Sequence, residues 1–319
     1  MTDFKALSLT ECAERLLEVK NPLVVMHQRP DGDTVGSGAA LCKILERLGK
    51  KVYYTCADEI PSRLKFLTEG LEFTDNYEGL EAVSIDVASP SQLGSLEGKV
   101  FPILMLDHHA KGIPFADNFI IPDASSAGEV LYRVVLELEK MGKITTDKEL
   151  ASLLYASISS DTGGFIFSSA KEGTHLAAAR LISFGIDSAE INRLLFNSKS
   201  IEQIKAEGAT AACLKTALSG RVSYALISKK MREELSLPFS AFECSIDVVR
   251  ALEGIECCFV IKETDDNKFK ASLRSSGKNV ADVAARHGGG GHIRAAGCTV
   301  EAGSIEEAAE ILIKELSEI

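Results

Sequence analysis

In the first half of the chain, acids and imidazoles stand where apolar runs stop. Leu23-Val24-Val25-Met26 leads into His27, Asp31 and Asp33, and Val83-Ser84-Ile85 ends at Asp86. Ile103-Leu104-Met105-Leu106 ends at Asp107-His108-His109, and the run from Leu153 to Ile158 leads to Asp161. Short apolar runs of this kind are buried strands or buried helix segments. In open α/β sheets the carboxyl ends of the strands converge on one crevice, where ligands bind. Five carboxylates and three imidazoles gathered in one crevice repel one another unless cations sit among them. The pattern therefore predicts bound divalent metals, and with them an enzyme.

The order of elements fits such a sheet. A strand over 23–26, a loop, a helix over 35–48 capped by Gly49 and a strand over 51–56 imply a parallel pair joined by a right-handed crossover. A further strand is expected over 100–106, with helices over 128–141, 148–159, 171–184 and 188–196. Ser8-Leu9-Thr10-Glu11, Thr146-Asp147-Lys148-Glu149, Ser200-Ile201-Glu202-Gln203 and Ser304-Ile305-Glu306-Glu307 have the spacing of capping boxes and mark helix starts. The polar stretch Asn197-Ser198-Lys199-Ser200 is the candidate hinge, and beyond it 221–228, 255–263 and 268–274 read as strands. The fold class expected is α/β: a parallel-sheet, Rossmann-like metal domain over 1–190, a linker over 191–205 and a smaller mixed α+β domain over 206–319, facing each other across a cleft.

Composition narrows the partners. With 35 basic and 46 acidic residues the chain carries a formal charge of −11, the wrong sign for a surface that follows long nucleic acid. A nucleotide substrate should therefore be short and held locally, and residues 271–297 offer Arg274, Lys278, Arg286 and Arg294 against the single acid Asp282. No stretch is apolar enough to span a membrane, no secretory leader is visible, and the eight cysteines form no CxxC pair. A cytoplasmic, reducing location is expected.

Each candidate has a duller reading. Asp31 and Asp33 could cap the helix that follows, Asp86 could cap a helix at Ser89-Pro90, Asp161 could close a turn with Gly163 and Gly164, and the histidines could be packed for structure alone. Capping explains neither His27 nor two acids at one helix start. In Asp107-His108-His109, successive side chains near a strand end point different ways, so one imidazole can bind metal while its neighbour reaches substrate. Asp107 can hydrogen-bond a ligating imidazole and fix its tautomer. Imidazole and carboxylate without cysteine suit manganese, iron, cobalt or zinc. Two such ions roughly 3.5–4 Å apart would activate water for attack on phosphorus. The four glycines Gly288–Gly291 could form a flexible loop, a turn needing positive φ, or a nucleotide cradle before a helix. The adjacent His292 and Arg294 favour a loop that faces substrate.

His27-x-x-x-Asp31-x-Asp33 followed by Gly36-Ser37, then Asp86, Asp107-His108-His109 and Asp161, resembles the four motifs of the DHH phosphoesterase superfamily. Gly288-Gly289-Gly290-Gly291-His292-Ile293-Arg294-Ala295-Ala296-Gly297, with Ser272-Leu273-Arg274-Ser275-Ser276 upstream, resembles the signature of the DHH-associated domain. In size and motifs the chain is similar to the NrnA-type branch, whose members degrade very short oligoribonucleotides and dephosphorylate pAp.

The resemblance implies a first metal held by His27, Asp31 and Asp86, and a second held by Asp33, Asp86, His108 and Asp161, with Asp86 bridging. It implies Mn2+ first, with Co2+ or Mg2+ as alternatives. Asp107 would orient a ligand and His109 would face the scissile phosphate. Arg274, Ser275, Gly289, Gly290, Gly291 and His292 would hold substrate. The expected reaction is hydrolysis of short oligonucleotides or pAp by a hydroxide held between the two ions, without long nucleic acid or membrane as partner. A homodimer is compatible with the pattern. The competing readings are a small-molecule phosphatase, a cyclic-dinucleotide phosphodiesterase and a non-catalytic nucleotide sensor. One departure stands out: where the family often has asparagine three residues after the second histidine, this chain has Gly112.

Overall fold

Pro22–Met26 contains no polar side chain and every residue is buried, so it forms a strand (β1) covered on both faces, as interior parallel strands are. Its neighbours are β2 (Tyr53–Cys56) and β3 (Glu81–Ile85), followed outward by β4 (Pro102–Asp107) and β5 (Asp117–Ile120). All four pairings are parallel and the strand order is β2-β1-β3-β4-β5. The order reverses between β1 and β3, and that switch point is where an open α/β sheet leaves a crevice at the carboxyl ends of its strands.

Alternation along the strands feeds two cores. Val24, Met26, Val83, Ile85, Leu104 and Leu106 join the larger core. It is built with helices α1 (Leu9–Glu18), α2 (Gly32–Arg47), α3 (Ala127–Lys140), α4 (Lys148–Asp161), α5 (Glu172–Ile182) and α6 (Ser188–Phe196). Leu23, Val25 and Ala82 face the other way, onto Leu93 and Leu96 of a 3-10 turn over Pro90–Leu96. α2 and α4 touch closely because Gly36 has no side chain: a Cβ there would lie 2.9 Å from the backbone nitrogen of Ser157. A Cβ at Gly128 on α3 would lie 2.1 Å from the same serine's Oγ. Three helices thus meet at Ser157, one turn before Asp161 on α4.

The second unit starts with α7 (Ile201–Ala212) and holds strands β6 (Lys215–Ala217) and β7 (Val222–Ile227). Helices α8 (Lys229–Leu235) and α9 (Ser245–Arg250) precede β8 (Cys257–Glu263) and β9 (Phe269–Ser275). The chain ends in α10 (Val280–Arg286), β10 (Gly290–His292), β11 (Ala295–Val300) and α11 (Ile305–Leu316). Its sheet, ordered β10-β11-β9-β8-β7-β6, is antiparallel except for β7 with β8. α10 and α11 pack on one face and α7 and α9 on the other, giving the expected mixed α+β domain.

This computed structural model describes residues 4–264 and 266–319. The chain divides into Met1–Ser198 and Lys199–Ile319. Within the expected linker over 191–205, α6 runs to Phe196 and α7 starts at Ile201, so only the hinge candidate 197–200 lies outside helix. Ser200 starts α7 with a full capping box, which pulls the helix into the hinge region. Among the described residues no helix is long and apolar enough to cross a membrane.

Candidate metal centre

His27 follows β1, Asp86 follows β3 and Asp107 ends β4, so three neighbouring parallel strands deliver groups to the switch-point crevice. The loop after β1 turns at Arg29, which has a φ of 53°, and enters α2 with Asp31 as its N-cap. The Oδ1 of Asp31 accepts from the amides of Asp33 and Thr34 at 3.0 and 3.1 Å, so the capping role is real. The same oxygen lies 3.8 Å from His27 Nε2, so this carboxylate serves the crevice as well. Asp33 makes no cap of its own helix. It is buried in the first turn of α2, where the amides of Ala127 and Gly128 at the start of α3 donate to it at 2.8 and 3.2 Å. The Ser157 hydroxyl also donates to Asp33. Asp86 does not cap the turn at Pro90, whose first position follows Ser89.

Asp86 is the centre of the arrangement. It is 2% exposed and holds a φ of 59°, a left-handed conformation that a non-glycine residue adopts at a cost and that clusters at functional sites. Its Oδ2 lies 3.5 Å from His27 Nε2, and its Oδ1 lies 3.5 Å from His108 Nε2. His108 Nε2 is also 3.7 Å from Asp33 Oδ2 and 3.7 Å from Asp161 Oδ2. One carboxylate therefore faces two separate donor sets, His27 with Asp31 and His108 with Asp33 and Asp161.

These gaps are longer than good hydrogen bonds, and Asp86 Oδ1 is buried without a hydrogen-bond partner. Donor atoms that each sit about 2.1 Å from a shared ion are separated by up to about 4.2 Å, so the spacing fits groups facing a common cation. The imidazoles are pre-aimed. His27 Nδ1 is 2.7 Å from the Gln28 carbonyl and His108 Nδ1 is 3.4 Å from the Ala124 carbonyl, which leaves Nε2 of each toward the acids. Imidazole plus carboxylate, without thiolate, is a donor set for a divalent first-row metal.

Without cations, the crowding of acids and imidazoles favours protonated forms. Burial lowers the pKa of His27, but its contacts with Asp31 and Asp86 outweigh that and raise it to about 11. Burial opposed by Asp86, Asp33 and Asp161 leaves His108 at about 10. Burial and the neighbouring acids push Asp161 up to about 7, and raise Asp33 well above the ordinary carboxylate range. Asp86 goes the other way: burial is outweighed by the imidazoles on both sides, which keep it ionised.

The structure corrects two expectations about the surrounding residues. Asp107 does not steer the ligand candidate His108 through its ring. Its Oδ1 accepts from His109 Nδ1 at 2.8 Å and from the His108 backbone amide at 2.8 Å, so the imidazole it orients is His109. The run Gly288–Gly291 precedes no helix: Gly288 takes a turn with a φ of 66°, as one of the readings expected, and only Gly290 and Gly291 are in a strand. It follows α10 and enters edge strand β10, where Gly291 pairs with Ala296 and His292 with Ala295. A Cβ at Gly289 would lie 2.2 Å from the Gly297 carbonyl oxygen and one at Gly291 2.4 Å from that of Ala295, so both glycines are needed for close approach to β11. Gly290 has open space around it, and Arg274 and Ser275 end β9. Gly112 passes so near the Ala88 carbonyl that a Cβ would lie 2.8 Å from it, and the space for a side chain is closed. Sequence reasoning missed Ser157, whose single signal was a hydroxyl inside a buried helical segment.

Comparison with known proteins agrees with this geometry. The family model for the DHH family N-terminal domain matches residues 21–158, and that for the DHHA1 domain matches residues 245–318. The chain is 30% identical over 295 residues to the bifunctional oligoribonuclease and PAP phosphatase NrnA of Bacillus subtilis (strain 168), covering 90% of each chain. It is 26% identical to the protein of the same name from Thermus thermophilus, covering 96% of this chain and 92% of that one. It is 25% identical to the cyclic-di-AMP phosphodiesterase PdeA of Listeria monocytogenes, over 98% of this chain but 50% of that protein. The fold matches that of an exopolyphosphatase-related protein from Bacteroides fragilis with a TM-score of 0.89 at 22% identity, covering 100% of this chain and 98% of that one. The chain belongs to the DHH family of metal-dependent phosphoesterases, its N-terminal DHH domain followed by a DHHA1 domain.

Proposed function

We propose that this enzyme hydrolyses very short oligoribonucleotides to mononucleotides and removes a phosphate from pAp. The observation that carries the reading is the division of Asp86, one carboxylate oxygen toward His27 and the other toward His108. His27, Asp31 and Asp86 would hold one divalent ion, and Asp33, Asp86, His108 and Asp161 a second, with Mn2+ as first choice and Co2+ or Mg2+ as alternatives. Such a pair supplies an activated water and neutralises charge on the phosphoryl oxygens.

The chain's own groups do the rest. His109 sits 3.7 Å from Asp86; burial lowers its pKa, but the bond to Asp107 and the charges of Asp86 and Asp107 together outweigh burial and raise it, which favours a ring that can offer a proton to a phosphoryl oxygen. Asp107 positions that ring and does not itself touch the reacting atoms. In the second unit, Arg274, Ser275, Gly289, Gly290, Gly291 and His292 would bind the substrate phosphate and base away from the cleaved bond. The charge of −11 favours a small ligand gripped at one place over a long strand. All eight cysteines are free thiols and five are buried, in keeping with a reducing cytoplasm.

The test is a product time course on 5′-labelled RNAs of two, three, five and twenty-four nucleotides, pAp and cyclic di-AMP, with added Mn2+. Mononucleotides should appear from the di- to pentamers and AMP from pAp, with little turnover of the 24-mer. Equal rates on long and short RNA would remove the short-substrate part of the proposal. A preference for cyclic di-AMP would favour the activity named for the Listeria relative. Arg274→Ala should raise KM for dinucleotides about tenfold or more, the weight of one charge-assisted phosphate contact, with kcat within a few-fold. An unchanged KM would deny Arg274 its role.

A further inference from the structure

We infer that Ser157 is a positioning residue that sets the metal affinity of the Asp33, His108 and Asp161 set, and not that of the His27 and Asp31 set. The inference rests on the ligand assignment proposed above. Ser157 is fully buried on α4, and its hydroxyl is wedged where α2, α3 and α4 meet. The facing positions on the other two helices are Gly36 and Gly128, so nothing larger than hydrogen separates the serine from either backbone. In that space its hydroxyl donates to Asp33 Oδ1, the oxygen that also accepts from the Gly128 amide. Asp33 Oδ2 accepts from the Ala127 amide at 2.8 Å and is the oxygen turned toward His108 Nε2 at 3.7 Å.

The carboxylate is thus held by two donors on Oδ1 and one on Oδ2, with Oδ2 turned toward His108. Three donors converge on this buried carboxylate and fix its orientation. Ser157 also stands one helical turn before Asp161, so both lie on the same face of α4. One helix therefore supplies a ligand candidate directly and orients a second one from α2. Among the described residues no side-chain hydroxyl holds the His27 ring or the Asp31 carboxylate in this way. His27 leans on the Gln28 carbonyl, and Asp31 is held by the first amides of its own helix.

Removing a group that orients a ligand costs about 10- to 100-fold in metal affinity. The experiment is a titration of the metal-free full-length protein with Mn2+, free ion being read by electron paramagnetic resonance. Wild-type protein should take up two ions per chain. Ser157→Ala should keep one at wild-type affinity and bind the other at least tenfold more weakly, and Ser160→Ala, a neighbour on the same helix, should behave as wild type. Ser157→Cys, which is somewhat larger and offers only a weak donor, should weaken the same ion and carries the test if the alanine variant fails to fold. Two ions bound by Ser157→Ala at wild-type affinity would overturn the inference and leave the ligand assignment standing. Fewer than two ions on the wild-type chain would overturn the assignment, and this inference with it.

Discussion

Asp86→Asn is expected to abolish hydrolysis while leaving the fold in place. The residue has a φ of 59°, a conformation that asparagine tolerates far better than alanine, so the amide variant removes charge without adding backbone strain. What disappears is the negative charge between His27 and His108, each 3.5 Å from one of its oxygens. Both donor sets lose their common member at once, unlike a change at Asp31 or Asp161, which touches one set. A loss of about 10⁴ in kcat/KM, equivalent to about 5.5 kcal/mol of transition-state stabilisation, is the scale expected when both charge-neutralising sites fail. The measurement is kcat/KM on a labelled dinucleotide at saturating Mn2+, with circular dichroism of the same preparation. Activity within tenfold of wild type in a folded variant would remove Asp86 from the centre of the site. Asp31→Asn is the informative companion: asparagine keeps the N-cap of α2, so its smaller loss measures the ligand role apart from the cap.

How much of this was legible in the sequence depends on how locally each feature is determined. The acids and imidazoles after β1, β3, β4 and along α4 could be read because a parallel sheet brings the ends of its apolar strands together, and the apolar runs mark those strands. The β1-α2-β2 passage was equally plain, since its strand, helix and capping signals agree. β5 was not visible: Asp117–Ile120 is four residues long, half of them polar, and is a strand because β4 pairs with it on one edge and the segment around Ala6 bridges to Asn118 on the other. β10 was hidden for a related reason. Glycine carries no alternation, and only the register with β11 reveals that Gly289 and Gly291 are closely packed backbone and not a loose loop. Adjacency in Asp107-His108-His109 could not say which ring the carboxylate holds, because that is set by side-chain direction at the end of β4. Ser157 was illegible in principle, since its surroundings come from three helices far apart in sequence.

Proton release links the site to pH in a direction that can be worked out. In the metal-free protein His27 and His108 have pKa values of about 11 and 10, and Asp161 of about 7. All three are raised above their unfolded values of roughly 6.5 and 3.9, so each favours folding while protonated. The histidine contributions are complete below about pH 6.5 and are lost as pH climbs through 10 and 11. That of Asp161 is complete below about pH 4 and is lost as pH climbs through 7. Metal must displace these protons, because only neutral imidazole and ionised carboxylate are ligands. Rising pH therefore weakens the metal-free fold at these groups and strengthens metal binding. The gain in Tm on adding Mn2+ should grow steadily from pH 6 to 8, and apparent Mn2+ affinity should rise by about tenfold or more per pH unit as one or more protons leave for each ion bound. Taking the difference between metal-loaded and metal-free protein at each pH cancels the many carboxylates elsewhere that titrate alike in both. In Asp86→Asn each histidine loses one of the acids that raise it, so the pH dependence should weaken along with the activity. A metal-induced Tm gain that is flat or falls between pH 6 and 8 in the wild-type protein would mean that protons and cations do not compete for this cluster.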